Sequence, residues 1–563
     1  MPGFLSTRKR PAKASDSSIY LGHYLDLESR KRGGELSYGG ERHLLLFGPN
    51  GSGKGTRLLV NNLLRLRDRS LVVIDPKGEL AAITADYRRK LGEVVVLNPF
   101  DVLGLGGAGF NPLAALDPDA PSFVDDAGGI GEALVRIEEK DPHWSESAQS
   151  LLVALIMWEV KLARHHGRAP SLENVRYLLT QPNEYQPVAG AKKGAQTAGL
   201  KVTAEKMCRA GGYEIQSLAG RFLRENDEIF SIQSTADRQT SWMLSPPMRA
   251  CMAKNDIDFA DLKERPITVY LILPAERMRT HSVWLRLVIV SALRALYRPG
   301  GLKTLFMLDE FAQLGHLGPI EDAFGLVRGF GVQLWPVLQD LNQLKALYRD
   351  RWETFVGNAG VVQGFAPNDL TTAEWMSRRT GDKTVAAVGY NTGDQMSNAG
   401  HGSMSTGLSY GQVRRALFLP QELMDLREGT GLLWSAGSSR SIPFDAPPYW
   451  DIAALKSRAR PNPYYQTKLL RPPKASVRRA KAPLGAVLAR ALQGDAQHVA
   501  ALAASRAQHA TRVFLRASKQ GMDAYRASRD ARKTRAAGKA LGPPEEAGQD
   551  GQHKAQTASS KEA

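Results

Sequence analysis

Cysteine is scarce in this chain, which has two among its 563 residues, Cys208 and Cys251. They are far apart and fit no metal-ligand spacing, so the sequence predicts neither a disulfide framework nor a zinc site. Long apolar runs are also missing, because no segment reaches the roughly 18–20 uninterrupted apolar residues of a membrane-spanning helix. The charged first ten residues are not followed by an apolar stretch, so no secretory signal is predicted. We therefore expect a cytoplasmic protein.

Acidic residues are outnumbered by basic ones. The chain has 57 Asp and Glu against 74 Lys and Arg, which gives a net charge of +17, and its pI is near 9.7. This balance favours a polyanionic partner, nucleic acid first and an acidic membrane second, with a generally basic surface as the alternative. A chain of this length is too long for one core, so two or three domains are expected.

A glycine-rich loop, residues 48–56, lies between the apolar run Leu44–Phe47 and a helical pattern that starts near Leu58. Strand, loop and helix in this order are typical of a phosphate-binding loop, whose glycines let backbone N–H groups surround an anion near a helix start. The alternative is a glycine-rich turn that binds nothing. The expected nucleotide-binding residues are Gly48, Asn50, Gly51, Ser52, Gly53, Lys54, Gly55 and Thr56.

The loop departs from the usual pattern at one position. Ser or Thr normally follows the lysine and holds Mg²⁺, whereas here Gly55 follows Lys54 and the hydroxyl comes one residue later, at Thr56. Magnesium is therefore expected to be held by Thr56, by water, or mainly by a distant acid. The expected cofactors are ATP and Mg²⁺.

Two adjacent carboxylates supply that acid. Asp309 and Glu310 follow directly after the apolar run Thr304–Leu308, as expected where a buried parallel strand ends at the ligand-binding edge of an open sheet. We expect Asp309 to coordinate Mg²⁺ and Glu310 to polarise an attacking water. The alternative is an ordinary strand followed by solvated acids.

The pattern along the chain predicts an α/β fold of the RecA-like P-loop type. Apolar strands alternate with helices on both sides of a long helical stretch, which calls for a mostly parallel central sheet with an inserted all-α domain. In chain order, we expect an N-terminal polar arm over 1–40, the first segment of the nucleotide-binding domain over 41–112, an all-helical insertion over 113–261, the second segment of the nucleotide-binding domain over 262–455, and a basic tail over 456–563 that is helical over 484–532 and disordered at its end.

Several stretches together resemble the TraG-like coupling proteins of type IV secretion and conjugation, which are RecA-like, FtsK-related ATPases. The resemblance spans most of 48–450, and its segments are Gly48–Thr56, Val73–Leu80, Val95–Phe100, Phe110–Leu113, Val269–Pro274, Leu308–Gly315, Arg328–Gln333 and Gln339–Leu344. A phosphate loop alone would be weak evidence, but this ordered set is specific.

The resemblance implies roles for two further residues. Gln339 matches the glutamine that senses the γ-phosphate, and Arg328 matches an arginine proposed to enter the neighbouring subunit's site. For Gln339 the alternative is a capping amide, and for Arg328 a surface arginine in a glycine-rich turn.

The resemblance also implies partners. These are DNA bound without sequence preference, a relaxase or other secretion substrate, and components of the type IV secretion channel, with assembly into a homo-hexamer. Family members usually begin with a pair of membrane helices, which this sequence does not show. We therefore expect peripheral recruitment to the inner membrane, preferably by a small membrane anchor protein.

Two other functions stay open from the sequence alone. The Gly53–Thr56 ending also resembles nucleoside-monophosphate kinases, although such kinases are short and have no second acidic strand so far downstream. The third possibility is a nucleotide-binding adaptor that docks substrates without turnover.

Overall fold

A computed structural model describes residues 5–7, 17–138, 140–182, 184–186, 195–197, 199–224, 226–396 and 402–465 of the chain. The helix predicted for 484–532 and the disordered end of the tail lie outside these residues.

Sixteen strands occur in the portion of the chain that the structure describes. They are β1 (Leu5–Thr7), β2 (Ile19–Leu25), β3 (Arg32–Tyr38), β4 (His43–Phe47), β5 (Arg69–Ile74), β6 (Glu93–Leu97), β7 (Glu184–Gln186), β8 (Ala195–Thr197), β9 (Ile267–Leu271), β10 (Lys303–Leu308), β11 (Val332–Leu338), β12 (Ala359–Phe365), β13 (Asp382–Met396), β14 (Gly402–Ala416), β15 (Thr430–Ser435) and β16 (Ile442–Asp445).

Twelve of these strands form one sheet, in the order β1-β3-β2-β16-β15-β12-β4-β11-β10-β5-β9-β6. The seven strands from β12 to β6 are parallel, and the remaining five are antiparallel. The predicted α/β fold with a mostly parallel sheet is therefore confirmed. The carboxyl ends of β4, β11, β10 and β5 lie at one edge, where open sheets bind ligands.

The helices cover both faces of this sheet. In chain order they are α1 (Val60–Leu63), α2 (Glu79–Arg88), α3 (Phe123–Leu134), α4 (Pro142–His165), α5 (Leu172–Thr180), α6 (Gly199–Ala210), α7 (Tyr213–Ala219), α8 (Asp227–Thr240), α9 (Pro246–Met252), α10 (Ala275–Leu296), α11 (Gly318–Leu326), α12 (Leu341–Tyr348), α13 (Trp352–Asn358), α14 (Leu370–Thr380), α15 (Pro420–Met424) and α16 (Ala453–Lys456). A π-helical turn, Gly55–Leu59, leads from the glycine-rich loop into α1.

The core has two layers because successive side chains of a strand point to opposite faces. In β4, Leu45 and Phe47 belong to the buried cluster that also contains the apolar residues of the segment 113–261, whereas Leu44 and Leu46 belong to the cluster that contains those of α1 and α2. All five residues of β4 are buried, as expected for a parallel strand covered on both faces. The glycine-rich loop is thus attached to a rigid central strand.

Three features depart from the predicted organisation. Residues 1–40, expected as a polar arm, contribute β2 and β3 to the sheet, and β2 pairs with β16. The segment 113–261, expected to be all helical, contains α3 to α9 and also the short antiparallel pair β7–β8. Residues 382–396 and 402–416 pair as the long antiparallel strands β13 and β14, which periodicity did not indicate.

The domain boundaries at 112, 261 and 455 stay a prediction, since residues 1–472 group as one unit. Within the described ranges, no helix combines the length and the apolar character needed to cross a membrane.

Candidate nucleotide site

The glycine-rich loop is anchored to a neighbouring strand and shaped by two left-handed glycines. The N–H of Gly48 donates to the carbonyl of Leu338 at the end of β11 (2.8 Å). Gly51 and Gly53 have φ values of +83° and +81°, which other residues rarely adopt. A side chain on Gly53 would also come within 2.5 Å of the Arg57 guanidinium Nε. Both positions therefore require glycine for backbone conformation, and Gly53 requires it for space as well.

The acidic pair lies two strands away from the loop at the same sheet edge, because β11 separates β4 from β10. Glu310 has a φ of +52°, an uncommon conformation for a residue with a side chain, and its N–H donates to Asp309 Oδ1 (3.1 Å). Such a turn redirects the chain immediately after β10. Both carboxylates consequently stay at the edge instead of continuing along the strand.

The structure brings four of the predicted residues into one polar network. Lys54 Nζ lies 3.6 Å from Glu310 Oε1, and Gln339 Nε2 donates to Glu310 Oε2 (3.1 Å). Asn50 Nδ2 in turn donates to Gln339 Oε1 (3.4 Å). Gln343 Oε1 accepts a hydrogen bond from the Gln339 N–H (2.9 Å), which fixes the backbone after β11. Loop, acidic pair and glutamine therefore form one site from segments nearly 300 residues apart.

Burial and neighbouring charges shift the pKa values of the carboxyl groups at this edge. Desolvation raises the pKa of Asp309 to about 6, although the Lys54 charge opposes the rise. Desolvation also raises the pKa of Asp75, at the end of β5, to about 7, while its Oδ2 accepts a hydrogen bond from the Ala81 N–H (2.8 Å). A carboxyl group that is costly to ionise is stabilised as the anion by an added cation. The edge therefore favours a bound cation.

The donor set fits a phosphate and a divalent cation. Ser52 Oγ in the loop is buried and has no hydrogen-bond partner among the described residues. Thr56 Oγ1 makes a long hydrogen bond to the Gly53 carbonyl (3.3 Å). Carboxylate and hydroxyl oxygens are the ligands that Mg²⁺ prefers, and it keeps several waters beside them. Thr56 and Asp309 match this preference.

Arg328 is not a member of this network. It is exposed in the helical turn Val327–Phe330, which precedes β11, whereas Gln339 follows that strand. Arg328 lies near His43, the first residue of β4. Burial lowers the pKa of His43 to about 4, and the Arg328 charge adds to this lowering. Seven strand residues separate the two ends of β11, a span of about 20 Å. Arg328 therefore lies at the sheet edge opposite its own chain's glycine-rich loop.

Sequence reasoning missed Arg57, which directly follows the loop. Its Nη1 donates to the Ala446 carbonyl (2.8 Å) and its Nη2 to Glu428 Oε1 (2.8 Å). It also lies against Gly53 and Gly429. No local pattern indicates these contacts, because both polar partners lie more than 370 positions away in the chain.

The family model described as "Type IV secretory system Conjugative DNA transfer" matches residues 6–462. The chain is 28% identical to the conjugal transfer protein TraG of Escherichia coli, over 73% of this chain and 66% of the relative. It is also 28% identical to TraG of Rhizobium radiobacter, over 71% and 61%. With the type IV secretion system-coupling protein VirD4 of Bartonella quintana it shares 26% identity, over 71% and 61%. The match thus spans less than two thirds of each relative's length.

Solved structures of the conjugative coupling protein TrwB share the fold. A trigonal form with sulphate has a TM-score of 0.55 at 16% identity, covering 77% of this chain and 96% of that one. A complex with ADP and Mg²⁺ has a TM-score of 0.52 at 18% identity, covering 72% and 85%. A complex with the ATP analogue ADPNP has a TM-score of 0.53 at 16% identity, covering 77% and 96%. At these identities the likeness establishes the RecA-like fold.

Proposed function

Because the chain belongs to the type IV secretory system conjugative DNA transfer family, we propose that it is an ATP-hydrolysing coupling protein. It recruits relaxase-bound DNA, or a protein substrate, and drives transfer into a type IV secretion channel. The observation that carries the proposal is the network in which Lys54 and Gln339 both contact Glu310. A lysine from the loop, a carboxylate and a glutamine at one sheet edge are the components of a P-loop ATPase site.

ATP and Mg²⁺ are the proposed cofactors. The glycine-rich loop and Lys54 would hold the phosphates, and Thr56 and Asp309 would hold the metal ion. The orphaned hydroxyl of Ser52 and the raised pKa of Asp309 support this assignment. The bound ion would supply charge neutralisation on the phosphate oxygens. TrwB, with which the chain shares its fold, has been solved with ADP and Mg²⁺.

Glu310 is proposed to orient the attacking water and accept its proton. Gln339 Nε2 holds one carboxylate oxygen and Lys54 lies near the other, so the side chain is oriented before substrate arrives. Phosphoryl transfer requires positioning and charge neutralisation more than a covalent nucleophile. Asn50 links Gln339 back to the loop, so Gln339 is placed to report whether the γ-phosphate is present.

Arg328 is proposed to act on the site of a neighbouring copy. Its position at the opposite edge of the sheet keeps it from its own chain's Lys54 and Glu310. A ring of identical subunits, here a hexamer, brings one edge of each chain to the other edge of the next by a head-to-tail interface. An arginine supplied in this way is worth about 10³–10⁵ in rate.

DNA and the secretion channel are the proposed partners. Residues 466–563 contain 19 Lys and Arg against 7 Asp and Glu, so much of the net charge of +17 lies in the tail. Contacts to phosphates give binding without sequence preference that weakens steeply with salt. Recruitment to the inner membrane through a small anchor protein belongs to the same proposal.

The test is ATP turnover by the purified protein with and without DNA. We expect release of inorganic phosphate that rises with DNA and is lost in Glu310→Gln, while nucleotide binding persists. Phosphate found on a nucleoside monophosphate acceptor instead of in water would replace the proposal with a kinase. Substrate docking without any turnover would replace it with an adaptor.

A further inference from the structure

A second cavity lies along the same sheet edge, beyond the nucleotide site. It has a volume of about 410 Å³ and is formed by the segments that follow β5, β6 and β9. In the sheet, β5 is the third strand from β4, and β9 and β6 lie further away. Because neighbouring strands are about 4.8 Å apart, the cavity lies roughly 15 Å or more from the glycine-rich loop. Its lining shares no residue with those assigned to ATP, although Asp309 follows the strand next to β5 and the Lys77 charge lowers the Asp309 pKa.

Two exposed cations line this cavity. Lys77 follows β5, and Arg277 lies in the first turn of α10; both are exposed. Neither forms an ion pair with any residue in the described ranges, unlike the exposed arginines Arg89, Arg164, Arg238 and Arg265. Glu276 is the acid in the lining, at a helix start where a negative charge is already favoured. The cavity thus offers two positive charges to a ligand.

Two aromatic rings complete the lining. Phe100 follows β6, and the Arg277 guanidinium lies over its ring at 5.7 Å from the centroid. The His281 ring packs edge-on against Phe100, with 5.2 Å between the two ring centroids. Tyr464 is 46% exposed and is fixed by its hydroxyl, which donates to the Lys77 carbonyl (2.7 Å). Each ring is therefore held in place before a ligand arrives.

The chain is bound along α2 before it reaches Tyr464. The Arg460 N–H donates to the Ile83 carbonyl (2.9 Å), and Asn462 Nδ2 donates to Glu79 Oε1 at the start of the helix. Asn462 Oδ1 also accepts the Tyr464 N–H (2.9 Å). The aromatic wall contributed by Tyr464 consequently belongs to the folded core of the domain.

We propose that this cavity binds a nucleotide unit of single-stranded DNA, with a base against Phe100 and Tyr464 and the adjoining phosphate at Lys77 and Arg277. Aromatic rings beside unpaired cations form the usual platform for single strands, because every base has a face to stack and every linkage has a phosphate. The inference rests on the proposed function and deepens it. It places strand contact on the β5–α2 loop, whose strand pairs directly with the strand that carries Asp309.

The experiment measures binding of a fluorescein-labelled (dT)20 oligonucleotide to the full chain by anisotropy across a salt series. For the double variant Lys77→Gln/Arg277→Gln, we expect at least about tenfold weaker binding and a slope of log affinity against log salt that is smaller by about 0.7, since each phosphate contact contributes about 0.7 and the two side chains share one phosphate. Phe100→Leu should weaken binding by about 5- to 150-fold through lost stacking, with little change in the slope. Arg279→Gln, an exposed arginine on α10 outside the cavity, is the matched control and should bind as the wild type does.

Binding of free dTMP tests whether the cavity takes a free nucleotide or a unit of a DNA strand. We expect millimolar or weaker binding of dTMP, because a single unit lacks the neighbouring phosphates. If dTMP binds as tightly as the oligonucleotide, the site takes free nucleotides and the strand proposal is wrong. Wild-type affinity and slope in the double variant would also overturn it. ATP turnover without DNA, measured on the same samples, reports separately whether the proposed ATPase function holds.

Discussion

Replacing Arg57 by alanine tests how the glycine-rich loop is held in place. The guanidinium joins the loop to the segment before β15 and to the segment after β16, through Glu428 and Ala446 respectively. Its side chain is 14% exposed, so it is largely removed from water. The variant therefore separates the loop from the antiparallel half of the sheet without touching Lys54 or the acidic pair.

The two hydrogen bonds of Arg57 are expected to contribute differently to the free energy of unfolding. Glu428 is 65% exposed, so its ion pair with Arg57 is worth about 0–1 kcal/mol. Ala446 is fully buried, and its carbonyl left without a donor costs about 1–3 kcal/mol. Loss of packing against Gly53 and Gly429 adds to this cost. We expect Arg57→Ala to lower the free energy of unfolding by about 2–3 kcal/mol.

Urea unfolding and nucleotide titration provide the assay. Glu428→Gln should cost less than about 1 kcal/mol, since its side chain is mostly in water. Arg89→Ala, which removes an exposed pair with Asp86, is the matched control and should cost less than about 0.5 kcal/mol. Nucleotide affinity should fall in Arg57→Ala alone. The reasoning is refuted if Arg57→Ala costs no more than Arg89→Ala and binds nucleotide normally.

Three further predictions concern the loop and its strand. Lys54→Ala should abolish nucleotide binding in calorimetry with a smaller stability loss than Arg57→Ala; an unfolded variant would contradict this. Gly53→Ala should also fail to bind, since φ is +81° and the new methyl would displace Arg57; normal binding would show that the loop tolerates a side chain there. Burial lowers the pKa of His43 to about 4, so this side chain binds a proton more readily in the unfolded chain than in the folded one. The free energy of unfolding should therefore be highest above about pH 6.5 and should fall towards pH 4. His43→Leu should remove about 3 kcal/mol of that pH dependence, and an unchanged urea profile would refute it.

The parallel half of the sheet was predictable because its strands are local apolar runs. The apolar run Leu44–Phe47 before the glycine-rich loop is observed in β4 (His43–Phe47), and the acidic pair follows its strand as expected. The site residues that come directly after strands could be placed together because parallel strands end at one edge.

The antiparallel half was not predictable from local patterns. β3 contains two adjacent glycines and three exposed or half-exposed polar positions, and β16 is four residues long. Both depend on distant partners, since β16 pairs with β2 across more than 400 positions. The Arg57 contacts belong to this half, so they too are set by tertiary packing that no short window of sequence contains.

Mixing two inactive variants tests most directly whether the hydrolytic site is shared between neighbouring copies. Arg328→Ala keeps Glu310, and Glu310→Gln keeps Arg328, so each should be nearly inactive alone. In an equal mixture, about a quarter of the head-to-tail interfaces combine both intact residues. We therefore expect ATP turnover to return in the mixture. It should not return when Arg328→Ala is mixed with the Arg328→Ala/Glu310→Gln double variant. A mixture as inactive as its components, although the copies assemble, would contradict a shared site.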